Sequence, residues 1–122
     1  MGVLGVGIDI CRVARMQGIL SGRTAGRFLQ KALHVDEQTA PVTPQFLASR
    51  WAVKEALVKA SGRTDLVFRL VKVEKLPNGR PVLALAPSEM EKLRVLGGDK
   101  LHVSLSHEDE YAVAVVVLET SS

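Results

Sequence analysis

Little in this chain is extreme. Its 122 residues include one cysteine, five prolines and 4% aromatics, and 16 basic residues against 13 acidic ones leave a net charge of only +3. The solitary Cys11 excludes an intramolecular disulfide and a cysteine-built metal cage, so neither a stapled secreted scaffold nor a zinc module is expected. The longest unbroken apolar run, Tyr111 to Leu118, falls far short of the roughly 20 residues that a membrane-crossing helix needs. Gly2 to Gly7 is apolar but lacks the basic flank of a signal peptide, and Asp9 interrupts it almost at once. Val6 stands where an N-myristoylation signal requires Ser or Thr. The expectation is a soluble chain of a reducing compartment: cytoplasmic, or of the mitochondrial matrix where a targeting segment has been removed.

What is present fits one domain spanning residues 1–122. With 47% apolar residues the chain can build a core, yet it is too short for two, and it shows neither a fixed-period repeat nor a low-complexity tract. Val3 to Ile10 reads as a buried strand carrying an acid near its end, and Arg12 to Leu20 as a helix. Arg23 to His34 is predicted to form an amphipathic helix, followed by a loop with Asp36, Glu37, Pro41 and Pro44. Thr43-Pro44 supplies a cap and a first-turn proline, and Gly62 a stop, which brackets a strong central helix from Pro44 to Ser61. Leu66 to Leu76 and Val82 to Ala86 read as strands joined by the Asn78-Gly79 turn. Pro87 opens a short helix to about Leu96, and Leu101–Ser106 and Tyr111–Leu118 read as strands flanking the turn His107–Glu110. The mixed order predicts an α+β fold.

The central helix holds the most informative charges. At about 100° per residue with Trp51 at zero, Arg50 and Lys54 fall on one side, as expected of a solvated edge. Glu55 and Lys59 fall inside an arc that also holds Ala48, Trp51, Ala52 and Ala56, so they face inward or into a cleft. A Glu-to-Lys pair at this spacing merely supports an exposed helix, by about 0.2–0.5 kcal/mol. Charges removed from water cost several kcal/mol unless paired or bound to an ion, which makes a site the better explanation here. Asp9, at the end of an apolar strand after Gly5-Val6-Gly7, is either a helix cap or a second site acid. If that strand end packs beside the central helix, Asp9 and Glu55 offer a hard cation two oxygen ligands. Mg²⁺ accepts one or two carboxylates and fills its remaining positions with water and phosphate oxygens, and Lys59 would reach the same phosphate. His107, at a strand end, is a turn histidine or a donor to phosphate or ribose. Trp51 and Tyr111 read as packing residues.

Three motifs in order carry a resemblance to a known family. Gly5-Val6-Gly7-Ile8-Asp9-Ile10, then Arg50-Trp51-Ala52-Val53-Lys54-Glu55-Ala56 with Lys59-Ala60, then Val103-Ser104-Leu105-Ser106-His107 with Tyr111-Ala112 resemble the signatures of 4′-phosphopantetheinyl transferases. Chain length and spacing are similar to the small holo-acyl-carrier-protein synthase branch, over essentially residues 3–119. The resemblance implies an antiparallel sheet wrapped around a long central helix, and a homotrimer with active sites between subunits. It implies transfer of phosphopantetheine from coenzyme A to a serine of an acidic acyl carrier protein, releasing adenosine 3′,5′-bisphosphate. By the same resemblance Asp9 and Glu55 would ligate Mg²⁺, Lys59 would contact the transferred phosphate, and Arg50 and His107 would line the coenzyme A nucleotide and phosphates. Arg12, Arg15 and Arg23 match the region that grips the carrier. The serine proton needs an acceptor, and Glu55, Glu37 or a metal-bound water each qualifies. One departure follows Gly62, where the family's longer loop is cut to Ser61-Gly62-Arg63-Thr64-Asp65.

Two other readings remain. A small basic module for nucleic acid or an acidic protein would cluster Lys and Arg with interleaved aromatics, which this sequence does not do. A family member that has kept the fold and lost activity is opposed by the presence of Asp9, Glu55, Lys59 and His107.

Overall fold

Residues 2–38 and 41–121 are described by the structure, a computed structural model. Strand β1 (Gly2–Arg12) runs antiparallel to β5 (Tyr111–Thr120), which pairs on its other side with β4 (Lys100–His107), giving a three-stranded sheet of order β1-β5-β4. A second sheet pairs β2 (Val71–Lys75) with β3 (Pro81–Leu85). The helices are α1 (Val13–Leu20), α2 (Ala25–Ala32), α3 (Pro44–Ser61) and α4 (Pro87–Arg94), with single 3-10 turns at Val35–Gln38 and Phe68–Leu70. The class is α+β, as expected, with antiparallel sheets gathered around one long helix.

Helix α3 begins and ends where its sequence says. Thr43 accepts a hydrogen bond from the Phe46 amide at 3.1 Å, Pro44 occupies the first turn, and Gly62 closes the helix in the left-handed region at φ 70°. Leu47, Ala48, Ala52, Val53, Ala56 and Leu57 are all fully buried, so α3 is covered around most of its circumference. The small alanines let the sheet come close. Gly5 and Gly7 of β1 make the tightest approach: a Cβ on Gly7 would run into the carbonyl of Ala56, and one on Gly5 into that of Ala60.

This approach fixes the register of β1. Gly5, Gly7, Asp9 and Cys11 face α3, while Val6, Ile8 and Ile10 point outward opposite Val117, Val115 and Val113. Several boundaries move from expectation. The sheet claims Arg12, so α1 starts at Val13, and α2 is two residues shorter at each end than the predicted helix. Leu66–Leu76 is a strand only from Val71, because Phe68–Leu70 winds into a 3-10 turn whose Phe68 carbonyl accepts from Lys54. His107 belongs to β4 rather than to the following turn. Positions 39 and 40 of the predicted loop lie outside the described residues.

Candidate functional site

β1 delivers Asp9 to α3 two residues after the Gly7 contact, with its side chain only 15% exposed. Lys59 reaches back from the last turn of α3 and donates to Asp9 Oδ1 and to the Ile8 carbonyl, both at 3.0 Å. Lys59 is therefore paired across the fold with Asp9, and its exposure excludes the inward one of its two expected placements, inward or into a cleft. It lies at the end of the helix, past the cover that buries the turns before it. Glu55, one turn earlier, is half-buried and lines a cavity of about 420 Å³ with Phe28, Lys31, Trp51, Val58 and Phe68. The cleft expected beside it is present.

Cys11 reports on this neighbourhood. Burial pushes its thiol pKa up, nearby Arg15 draws it down, and the charges of Asp9 and Glu55 push it up again, so both acids act on one atom. Among the described residues no group of three or more His, Cys, Asp or Glu is placed to hold a metal. Asp9 and Glu55 are thus the hard oxygen donors the chain offers here. Asp9, already attended by the Lys59 ammonium, and Glu55 are carboxylates of the kind a small divalent ion takes beside the oxygens of a phosphate substrate.

On the neighbouring face of α3 the structure overturns the solvated edge. Lys54 is 0% exposed and donates to Glu37 Oε1 at 2.6 Å, to the Ala32 carbonyl at 2.8 Å and to the Phe68 carbonyl at 3.2 Å. Burial lowers its pKa and the Glu37 carboxylate opposes that fall. Glu37 is itself fully engaged: Oε1 also accepts from the His34 amide and Oε2 from the Val73 amide. A carboxylate so enclosed is removed from the candidate proton acceptors. Arg50, also expected in solvent, is largely buried, stacks 4.2 Å from the Phe46 ring centroid, and lines a second cavity of about 420 Å³ with Phe46, Lys72 and Lys75. Its Nε is a buried nitrogen with no hydrogen-bond partner among the described residues, 4.0 Å from Glu37 Oε2. Burial lowers the Arg50 pKa against the pull of Glu37.

The remaining candidates are not among the residues that line these two cavities. His107 is exposed at the end of β4, in register with Ala112 and through it with Cys11, hence on the α3-facing side of the sheet. Arg15 lies over the Trp51 ring at 5.7 Å, and Trp51 packs on Phe28 and Phe68 at 5.2 and 5.4 Å. Trp51 is the packing residue that was expected. Tyr111 is not: it is exposed, and Arg12 stacks over its ring and donates to its hydroxyl at 3.3 Å. Arg23 is exposed between α1 and α2.

The short loop after Gly62 is pinned from two sides. Arg63 grips Asp65 through two nitrogens at 2.9 and 2.7 Å, and this hydrogen bonding holds the Asp65 carboxyl down at about 2. From α4, Lys92 donates to the Asp65 carbonyl, and buried Glu89 accepts from the Val67 amide. Sequence reasoning missed Lys54, Phe28, Lys31, Phe68 and Lys72 as cavity or wall residues. Only the apolar character of the two phenylalanines hinted at them, and nothing local links Lys54 to an acid 17 residues earlier.

The described helices include none long and apolar enough to cross a membrane. Solved structures of this fold include the holo-[acyl-carrier-protein] synthase of Neisseria meningitidis, with a TM-score of 0.86 at 27% identity over 98% of this chain and 100% of that one. The Helicobacter pylori holo-[acyl-carrier-protein] synthase, solved in complex with coenzyme A, gives 0.81 at 30% identity over 93% and 99%. These place the chain in a class of α+β transferases. The sequence profile of the 4′-phosphopantetheinyl transferase superfamily matches residues 5–116, and the holo-[acyl-carrier-protein] synthase of Desulfovibrio desulfuricans is 39% identical over 96% of this chain and 98% of its own. The chain belongs to the 4′-phosphopantetheinyl transferase superfamily, and it is an enzyme.

Proposed function

We propose that this chain, acting as one domain, transfers 4′-phosphopantetheine from coenzyme A to a serine of an apo acyl carrier protein and releases adenosine 3′,5′-bisphosphate. The observation that carries the reading is the Asp9–Lys59 pair beside the Glu55-lined cavity, in a chain of this superfamily. Asp9 and Glu55 would hold a Mg²⁺ ion, which when bound supplies positive charge at the diphosphate. The serine oxygen forms a bond to the phosphorus that carries pantetheine, and the bond from that phosphorus to the departing bisphosphate breaks. Lys59, exposed and able to leave Asp9, offers its ammonium to the phosphoryl oxygens as charge builds on them. The partly apolar cavity beside Glu55 suits the pantetheine arm. Glu55 or a metal-bound water would accept the serine proton, Glu37 being committed to Lys54 and two backbone amides. Arg50 and His107 serve the nucleotide end; the cavity beside Arg50 carries Lys72 and Lys75 but also Asp36, Glu37 and Glu74, with Lys72 paired to Asp36 and Glu74, so a phosphate there would be met by Arg50 and Lys75 in competition with these acids.

The test is to incubate the protein with coenzyme A, Mg²⁺ and an apo carrier protein and to follow the carrier by mass spectrometry. A mass gain of one phosphopantetheine is expected, and no gain across several carriers would sink the reading.

The carrier is acidic, so its dock should be basic; Arg12, Arg15 and Arg23 are exposed on α1 and its flanks, with Arg15 over the Trp51 ring. Arg15→Glu is expected to raise the KM for carrier about tenfold while coenzyme A affinity stays nearly constant. A carrier KM equal to wild type would discard the dock. The homotrimer is supported by the outer face of the sheet: Val6, Ile8 and Ile10 are about 60% exposed, an apolar stripe that other copies of the chain would cover. Ile8→Asp is expected to shift the sedimentation profile from trimer to monomer, and an unchanged profile would place the interface elsewhere. Residence in the cytoplasm, or in the mitochondrial matrix, fits the use of coenzyme A and a carrier protein.

A further inference from the structure

The Lys54–Glu37 pair stands between the two cavities. Ala32 and Phe68, whose carbonyls Lys54 holds, line the cavity beside Glu55; Glu37 and Val73, which Glu37 holds through its amide, line the cavity beside Arg50. Two cations compete for Glu37 in this wall. Lys54 Nζ is 2.6 Å from Oε1, whereas Arg50 Nε is 4.0 Å from Oε2, outside hydrogen-bond reach, and has no other partner among the described residues. A guanidinium that is 89% buried, with a buried carboxylate this close, would ordinarily be drawn onto it. The ammonium of Lys54 already neutralises that carboxylate.

We infer that Lys54 is a positioning residue for substrate binding: by taking the Glu37 charge it spares the Arg50 guanidinium, held through Nη1 by Ser49 Oγ at 3.0 Å, a hydrogen bond to that acid and leaves its charge to an incoming phosphate at the nucleotide cavity. Without Lys54, Glu37 is a buried, uncompensated anion and Arg50 is its nearest replacement partner, so the ligand's phosphate loses its cation to an internal acid. Lys54 therefore acts on the ligand through two other side chains and touches no substrate atom. The inference rests on the transferase reading, since it takes coenzyme A as the ligand of the Arg50 cavity.

The experiment is a double-mutant cycle read by isothermal titration of coenzyme A, well below the lowest melting temperature of the set. Lys54→Met and Arg50→Met should each weaken binding about tenfold, while Arg50→Met added to Lys54→Met should cost less than about threefold more, because the same guanidinium is already lost. Adding Glu37→Gln to Lys54→Met should return most of the affinity, since no carboxylate remains to capture Arg50. A lysine that merely supports the fold predicts additive losses; additive losses, or no return of affinity, overturn the inference. If Lys54→Met does not fold, Lys54→Gln takes its place, with the same pattern of coupling and recovery at about threefold amplitude. Wild-type protein that binds no coenzyme A overturns the transferase reading and this inference with it; wild-type binding with an additive cycle overturns the inference alone.

Discussion

Alanine at Asp9 or at Glu55 is expected to slow phosphopantetheine transfer by about 10³-fold, the scale on which removing one preorganised electrostatic group from a transition state is felt. The two acids come from opposite ends of the chain's first half, Asp9 on β1 and Glu55 on α3, against which β1 packs, and the charge of each raises the Cys11 thiol pKa. Asp9→Ala leaves Lys59 without its carboxylate, but that lysine side chain is 54% exposed and can turn to water. The pair contributes little to stability, on the order of 0–1 kcal/mol. Melting temperature should therefore hardly move while kcat collapses, and the Mg²⁺ concentration for half-maximal rate in the residual activity should rise. The checks are initial rates from carrier mass gain over a Mg²⁺ titration, beside a thermal melt. A variant that turns over like wild type would remove its residue from the proposed metal site.

The second large effect concerns the contact that packs β1 on α3. Gly7→Val is expected to prevent β1 from docking and to leave the chain unfolded or aggregated. A side chain there meets backbone: the carbonyl of Ala56 and the amide of Ala60 are both part of the α3 hydrogen-bond ladder and cannot rotate away. Relief requires the strand to lift off the helix, which opens the core around Ala56, Leu57 and Ala114. Overpacking typically costs about 1–3 kcal/mol when side chains can yield, and a collision with a helix backbone should exceed that, a large share of the roughly 5–15 kcal/mol that holds a domain of this size. Urea unfolding followed by circular dichroism measures it, with Gly18→Val as the control, since a Cβ at Gly18 meets nothing within 4 Å. Equal midpoints for the two variants would mean that β1 does not depend on this approach.

Much of the fold was readable because local chemistry and tertiary structure agree there. Thr43, Pro44 and Gly62 bracket α3 by capping and backbone freedom alone, and the Asn78-Gly79 turn sets the β2–β3 hairpin, with Asn78 accepting from the Arg80 amide at 3.0 Å. The reading failed where a distant partner changed the local preference. Phe68–Leu70 has strand-like composition yet winds into a 3-10 turn, and its Phe68 carbonyl is held by Lys54 from α3. Tyr111 reads as a core residue, but its place at the start of β5 leaves it on an exposed edge beside Arg12.

The site divides along the same line. Sequence by itself determined which residues are the acids and lysines of interest, because Asp9, Glu55 and Lys59 stand out as charges set in apolar or motif-bearing stretches, and it determined the family to which those motifs belong. Only the tertiary structure decided how the charges are paired. Helical spacing suggests Glu55 with Lys59 and leaves Lys54 to solvent, whereas the folded chain joins Lys59 to Asp9, 50 residues away, and buries Lys54 against Glu37. The physical reason is that a helical wheel reports which side chains share a face and says nothing of what covers it. Here a 3-10 turn and a short sheet cover the face that looked open, and a buried ammonium is stable there only because the same turn brings a carboxylate with it.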